Sequence, residues 1–110
     1  MKRAGQIALT PSPNTDLTIS KRRPVLLVRQ ASRRFDDWLV CMVSSQLHQA
    51  ELGLDEIVTE SDPDFGDSGL KATSVLRLSR LAVLDSAVLV GCIGSIGEDR
   101  LVRIRDTLGR

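Results

Sequence analysis

The chain has 110 residues, 42% of them apolar, and its 15 basic and 14 acidic side chains leave a formal net charge of +1. That size supports one compact core, so residues 1–110 read as a single domain and a multidomain arrangement is not expected. The near-neutral balance excludes a polycation that coats nucleic acid without specificity, and any affinity for an anion must be local.

The opening "MKRAGQIALTPSP" is basic, but its few apolar residues give way to polar residues and prolines, so it lacks the apolar core of a secretory signal. Gln6 to Thr10 alternates around Ile7 and Leu9 and predicts a strand. The polar loop that follows holds Pro11, Pro13, Asn14, Asp16 and Ser20, which cannot continue a sheet ladder. Loops of that length in a small domain are usually functional. A second strand is expected over Pro24 to Arg29, "PVLLVR", and a third over Trp38 to Val43, "WLVCMV". Between them Arg33, Arg34, Phe35, Asp36 and Asp37 read as a hairpin turn. Trp38 then anchors its strand to the core or to a partner, with core packing the preferred reading.

Glu56 to Thr59, Ser74 to Leu78 and Ala87 to Ile93 complete six short strands, a spacing that suggests a barrel or sandwich. The stretch "SDPDFGDSGLKAT" between the fourth and fifth is irregular, with Gly66 and Gly69 at turn positions. The period then changes. Ser95 with Glu98 has the form of a capping box, and Leu101, Ile104 and Leu108 follow at helical spacing, predicting an amphipathic helix over 96–108. The expected fold is mainly β, or α+β: a β-barrel of five to seven short strands with a C-terminal helix as its lid.

Charge is unevenly spread. Residues 1–50 carry eight cations against three anions, whereas 51–67 carry seven anions and no cation. The acidic stretch reads as a solvated loop around one strand. A sharper reading is that it repels nucleic acid on one side and leaves another side open. Cys41 and Cys92 lie in apolar runs with no CxxC pair, and His48 is the only histidine, so no metal site can be assembled from them. Both cysteines are expected as buried free thiols in a reducing compartment. The longest apolar run, "AVLVGCI", is far short of the roughly 20 residues of a membrane helix, and a soluble, cytoplasmic protein is expected.

Three stretches invite chemistry. "GCIGSIG", residues 91–97, has the spacing GxxGxxG rather than the GxGxxG of dinucleotide sites, and is more simply a strand end and helix start. A single histidine excludes a ribonuclease built on a His pair and makes a Ser-His-Asp triad hard to assemble, so His48 reads as a surface group. The run Lys21, Arg22, Arg23 is the best candidate. It could be a charged edge that blocks pairing with other chains. However, Pro24 biases Arg23 toward an extended conformation, and a guanidinium held there can donate two parallel hydrogen bonds to phosphate oxygens. Hydroxyls at Thr15, Thr18, Ser20, Ser44 and Ser45 could complete a cradle for a phosphodiester if the strands pair as neighbours.

"GQIALTPSPNTDLTISKRRPVLLVRQ" resembles the opening of the MazF/PemK (Kid) family of toxin endoribonucleases from bacterial toxin–antitoxin pairs, which begins with a Gly-acidic/polar-Ile strand, a loop ending in "TD", then "KRRP" and an apolar strand. "VSSQ" at 43–46, "SGLKATSVLRL" at 68–78 and Asp85 in "LAVLD" match further family positions in order, so the resemblance covers nearly the whole chain. It implies an SH3-like β-barrel, a homodimer, and cleavage of single-stranded RNA or mRNA at short motifs with no metal and no cofactor. It also implies a cognate antitoxin whose acidic tail covers the RNA groove. Position by position, it implies that Arg23, Ser44 and Arg77 are catalytic. Arg23 would bind the developing phosphorane charge and Ser44 would orient the phosphate or the 2′-OH. Thr15, Asp16, Lys21, Arg22, Ser45 and Gln46 would bind substrate, Lys21 and Arg22 by holding flanking phosphates. Two positions depart from the family: Ser79 stands where the Kid branch has an acidic residue, and Ala82 replaces the arginine of the family's "RTID". The general base is therefore unassigned. The alternative is a CcdB-like toxin that poisons gyrase by contact, or a catalytically weak binding homologue on the same barrel. Such a chain would not need the Arg23 and Ser44 pair.

Overall fold

A computed structural model describes residues 2–11 and 22–109. Six strands, β1 (Gln6–Pro11), β2 (Arg22–Gln30), β3 (Asp37–Ser44), β4 (Glu56–Val58), β5 (Ser74–Asp85) and β6 (Gly91–Ser95), form one antiparallel sheet in the order β4-β5-β3-β2-β1-β6. The sheet curls into a half-barrel. A short helix α1 (Phe65–Ser68) and a C-terminal helix α2 (Glu98–Leu108) accompany it.

The apolar run Val25–Val28 of β2 does not alternate with polar residues, and all four side chains are buried. A strand of this kind needs cover on both faces, and two separate clusters supply it. On the inner face Ile7, Leu26, Val28, Cys41, Val43 and Leu76 pack with Ile96, Leu101 and Ile104, so α2 lies over this side. On the other face Ala8, Val25, Leu27, Trp38, Val40 and Leu89 pack with Met42, Ala82 and Leu84. Trp38 is a core residue as expected, 6% exposed, and its indole N–H donates to Asp36 Oδ1 at 3.0 Å.

Several expectations are corrected. β5 runs on to Asp85 rather than stopping at Leu78, because its register against β3 jumps from Arg77 opposite Met42 to Leu81 opposite Cys41. Residues 78–80 form the bulge, and the polar pair Ser79-Arg80 lies within it. The last strand starts at Gly91, after a 3-10 turn over Ser86–Val88. β6 is an edge strand of the sheet, and Cys92 on it is exposed rather than buried. The Ser95–Glu98 capping box does not form. The N-cap of α2 is Gly97, and its N–H donates to Asp64 Oδ2 at 2.9 Å.

Candidate functional site

Strand register decides which side chains meet. β2 pairs Val25 with Met42 of β3, and Met42 pairs on its other side with Arg77 of β5, so these three side chains share the outer face. Arg23 lies two residues before Val25 and Ser44 two after Met42, which puts both on the same face one row further on, where Arg23 is flanked by Thr10 of β1 and Ser44 by Val75 of β5. Three residues 54 positions apart in sequence at the extremes, Arg23, Ser44 and Arg77, thus stand on one surface at the margin of the Trp38 cluster, on the side opposite α2. Arg23 is exposed at the start of β2, while Arg77 is half-buried.

A single oxygen ties two of them together. Gln49 Oε1, from the 3-10 turn Leu47–Gln49 after β3, accepts the Ser44 hydroxyl at 3.2 Å and the Arg77 Nη1–H at 3.3 Å. Ser44 Oγ in turn accepts the Gln46 N–H at 3.0 Å, which fixes its hydroxyl proton toward Gln49. Arg77 Nε is buried and has no partner. Neither the Arg23 nor the Arg77 guanidinium is neutralised by a carboxylate among the described residues, and a guanidinium fork suits a phosphate. No local sequence signal marked Gln49, because a glutamine in a polar turn is unremarkable until the register brings Ser44 and Arg77 to it.

The remaining expected site residues are less concentrated. Arg22 is exposed at the start of β2, opposite Pro11. Ser45 and Gln46 are exposed directly after β3. Thr15, Asp16 and Lys21 lie outside the described residues. Ser79, where the resemblance leads one to expect an acidic residue, donates its N–H and its hydroxyl to Asp55 Oδ1 at 3.1 and 3.2 Å. A carboxylate is thus present beside that position, supplied from before β4, but it is already occupied by these donors and by the Glu51 N–H at 2.9 Å. Ala82 is packed in the outer-face cluster.

The acidic stretch is not simply solvated. Arg100 of α2 is 7% exposed, and all its donors are used: Nε to Asp64 Oδ2 at 2.8 Å, Nη1 to Glu56 Oε1 at 3.2 Å and to the Ile57 carbonyl at 3.1 Å, Nη2 to Asp62 Oδ2 at 2.8 Å and to Asp64 Oδ1 at 3.2 Å. The hydrogen bond from Arg100 holds the Asp64 carboxyl below its ordinary value, and the Thr59 backbone N–H does the same for Asp62 with Arg100 assisting. An open cleft of about 290 Å³ beside this network is lined by Pro63, Asp64, Gly97, Glu98, Asp99, Arg100 and Arg103. Its arginines are engaged with carboxylates and its rim is acidic, so it does not suit a phosphate. No helix among the described residues is long and apolar enough to cross a membrane.

The family model for PemK-like, MazF-like toxins of type II toxin–antitoxin systems matches residues 3–110. A comparison with curated proteins finds no match.

Proposed function

Because this chain belongs to the PemK-like, MazF-like family of type II toxins, we propose that it is an endoribonuclease that cuts single-stranded RNA, including mRNA, at short motifs and so stops translation and growth. The observation that carries this reading is the shared outer face of Arg23, Ser44 and Arg77, with Ser44 and Arg77 both aimed at one oxygen.

In the proposed reaction the RNA 2′-OH attacks the adjacent phosphorus. The P–O2′ bond forms as the 2′-OH proton is lost to solvent, the P–O5′ bond breaks as the departing 5′ oxygen takes up a proton from solvent, and the products are a 2′,3′-cyclic phosphate and a 5′-hydroxyl. The nucleophile and phosphorus are neighbours within one nucleotide, so the protein's task is alignment and charge stabilisation rather than bringing reactants together. As the phosphorane gains charge, Arg23 and Arg77 bind its non-bridging oxygens, and these bonds strengthen toward the transition state. Ser44 orients the phosphate or the 2′-OH. Arg22, with Thr15, Asp16, Lys21, Ser45 and Gln46, forms the track for flanking nucleotides; the cationic members add affinity without base choice. No metal or cofactor takes part. The active form is a cytoplasmic homodimer, and a type II toxin is held in check by an antitoxin, here one with an acidic tail that covers the same face.

The test is incubation of the purified protein with single-stranded RNA, with and without EDTA, followed by analysis of the new ends. Cyclic-phosphate and 5′-hydroxyl ends, unaffected by EDTA and lost in Arg23→Ala, are the expected result. Cleavage by Arg23→Ala at the wild-type rate would overturn the site assignment, and absence of any cleavage would favour a toxin that acts by contact.

A further inference from the structure

The acceptor between Ser44 and Arg77 is the unusual feature of the outer face. Gln49 Oε1 takes the Ser44 hydroxyl at 3.2 Å and Arg77 Nη1–H at 3.3 Å, the positions that a phosphate oxygen would take if both residues bound substrate. A neutral amide oxygen is a weaker acceptor for a guanidinium than a phosphate oxygen. It satisfies only part of the fork: Arg77 Nε stays buried without a partner, which is costly in a finished structure and points to an acceptor with more than one oxygen. The turn that carries Gln49 is short. It is held by the Gln49 N–H to the Gln46 carbonyl at 3.0 Å and the Ala50 N–H to the Leu47 carbonyl at 3.1 Å, and none of its residues is buried. The side chain can therefore swing away without disturbing either core cluster.

We propose that Gln49 is a gating residue: its side-chain oxygen occupies the phosphate-oxygen position between Ser44 and Arg77 in the free protein, and RNA must displace it to bind. The inference rests on the proposed ribonuclease site and adds to it a competitor built into the chain. Two consequences have opposite signs. Removing the amide in Gln49→Ala frees the donors, and because apparent affinity scales with the competent fraction, a site that is open about a third to a tenth of the time should bind roughly three- to tenfold tighter. Replacing the amide by a carboxylate in Gln49→Glu strengthens the internal contact with Arg77 and should weaken binding by about tenfold or more.

The experiment is fluorescence-anisotropy titration of a single-stranded RNA with one 2′-deoxy substitution at its cleavage site, which blocks attack, against wild type, Gln49→Ala and Gln49→Glu, each also in an Arg77→Ala background. Tighter binding by Gln49→Ala, weaker binding by Gln49→Glu, and loss of both differences once Arg77 is removed are expected. Weaker or unchanged binding by Gln49→Ala, with wild type still binding and cleaving RNA, overturns the gate while leaving the ribonuclease reading intact. If wild type neither binds nor cleaves RNA, the ribonuclease reading fails and the gate falls with it.

Discussion

Asp64 Oδ2 accepts two hydrogen bonds from α2, the Arg100 Nε–H at 2.8 Å and the Gly97 N–H at 2.9 Å. One carboxylate thereby both caps the helix and anchors its buried cation, tying α2 to the segment between β4 and α1. Removing one partner of a buried ion pair costs about 3–5 kcal/mol because the others are left uncompensated. Arg100→Ala leaves Glu56, Asp62 and Asp64 facing one another, and we expect a loss of about 3 kcal/mol in urea unfolding, with the denaturant slope unchanged. A loss below about 1 kcal/mol would mean that the network is no more than a surface cluster.

The same network sets an acid limit. Asp62 and Asp64 have folded pKa values below their ordinary 3.8. A depressed folded value means that their stabilisation is fully present above about pH 4 and is lost as pH falls through the folded values. Unfolding midpoints in urea between pH 6 and pH 2 should fall below pH 4 in wild type. In Arg100→Ala the fall should be shallower but not abolished, since Asp64 loses its main hydrogen-bond donor while Asp62 keeps the Thr59 N–H at 2.9 Å. Identical slopes in the two proteins would remove Arg100 from the account.

Much of this architecture is legible in sequence and some is not, for definable reasons. The β-branched and aliphatic run of β2, the Trp38 strand and the Leu101, Ile104, Leu108 spacing all report a periodic burial that the fold keeps. Arg100 interrupts the apolar stripe of α2 as a charge, and its carboxylate partners lie 36 to 44 residues away, so nothing local announces that it is buried. β5 reads in sequence as ending at Leu78; Asp55 instead binds Ser79, and the strand continues through a bulge to Asp85. At the candidate site the residue types of Arg23 and Ser44 were readable from phosphate chemistry and family resemblance. Their shared face required the register, and Gln49 required the turn.

The two thiols should differ sharply. Cys41 is buried in the inner cluster, and desolvation pushes its pKa up to about 12, so little nucleophilic thiolate exists near neutral pH. Cys92 is exposed on β6. Native protein treated with an aromatic disulfide reagent should release one equivalent of thiol signal quickly and the second only after denaturant is added. Cys92→Ser should abolish the fast phase. Two fast equivalents would place Cys41 in an accessible environment and contradict the packing.

Close backbone approach makes one glycine of β6 irreplaceable. A Cβ on Gly94 would collide with the carbonyl oxygens of Asp67 and Ser68, where α1 packs on the strand, whereas one on Gly91 meets nothing within 4 Å. Gly94→Ala should therefore cost at least the roughly 1–3 kcal/mol typical of overpacking. Gly91→Ala, on the same strand, should change stability by less than about 0.5 kcal/mol. Paired thermal melts of the two variants test the contact, and equal melting temperatures would show that α1 does not rest on β6.

Arg77→Lys separates charge from geometry at the candidate site. The substitution keeps one positive charge, so the number of cations that meet RNA phosphates is unchanged and the slope of log affinity against log salt should be preserved. An ammonium cannot reproduce the planar fork that points Nη1 at the Ser44–Gln49 oxygen while Nε stays free beside it. If that fork binds the phosphorane, the single-turnover cleavage rate should fall by about 10²-fold, the scale of losing one preorganised donor to a developing oxyanion, with affinity reduced only a few-fold. A matched fall in affinity and rate would instead assign Arg77 to ground-state binding, and a rate within a few-fold of wild type would remove its guanidinium geometry from the chemistry altogether.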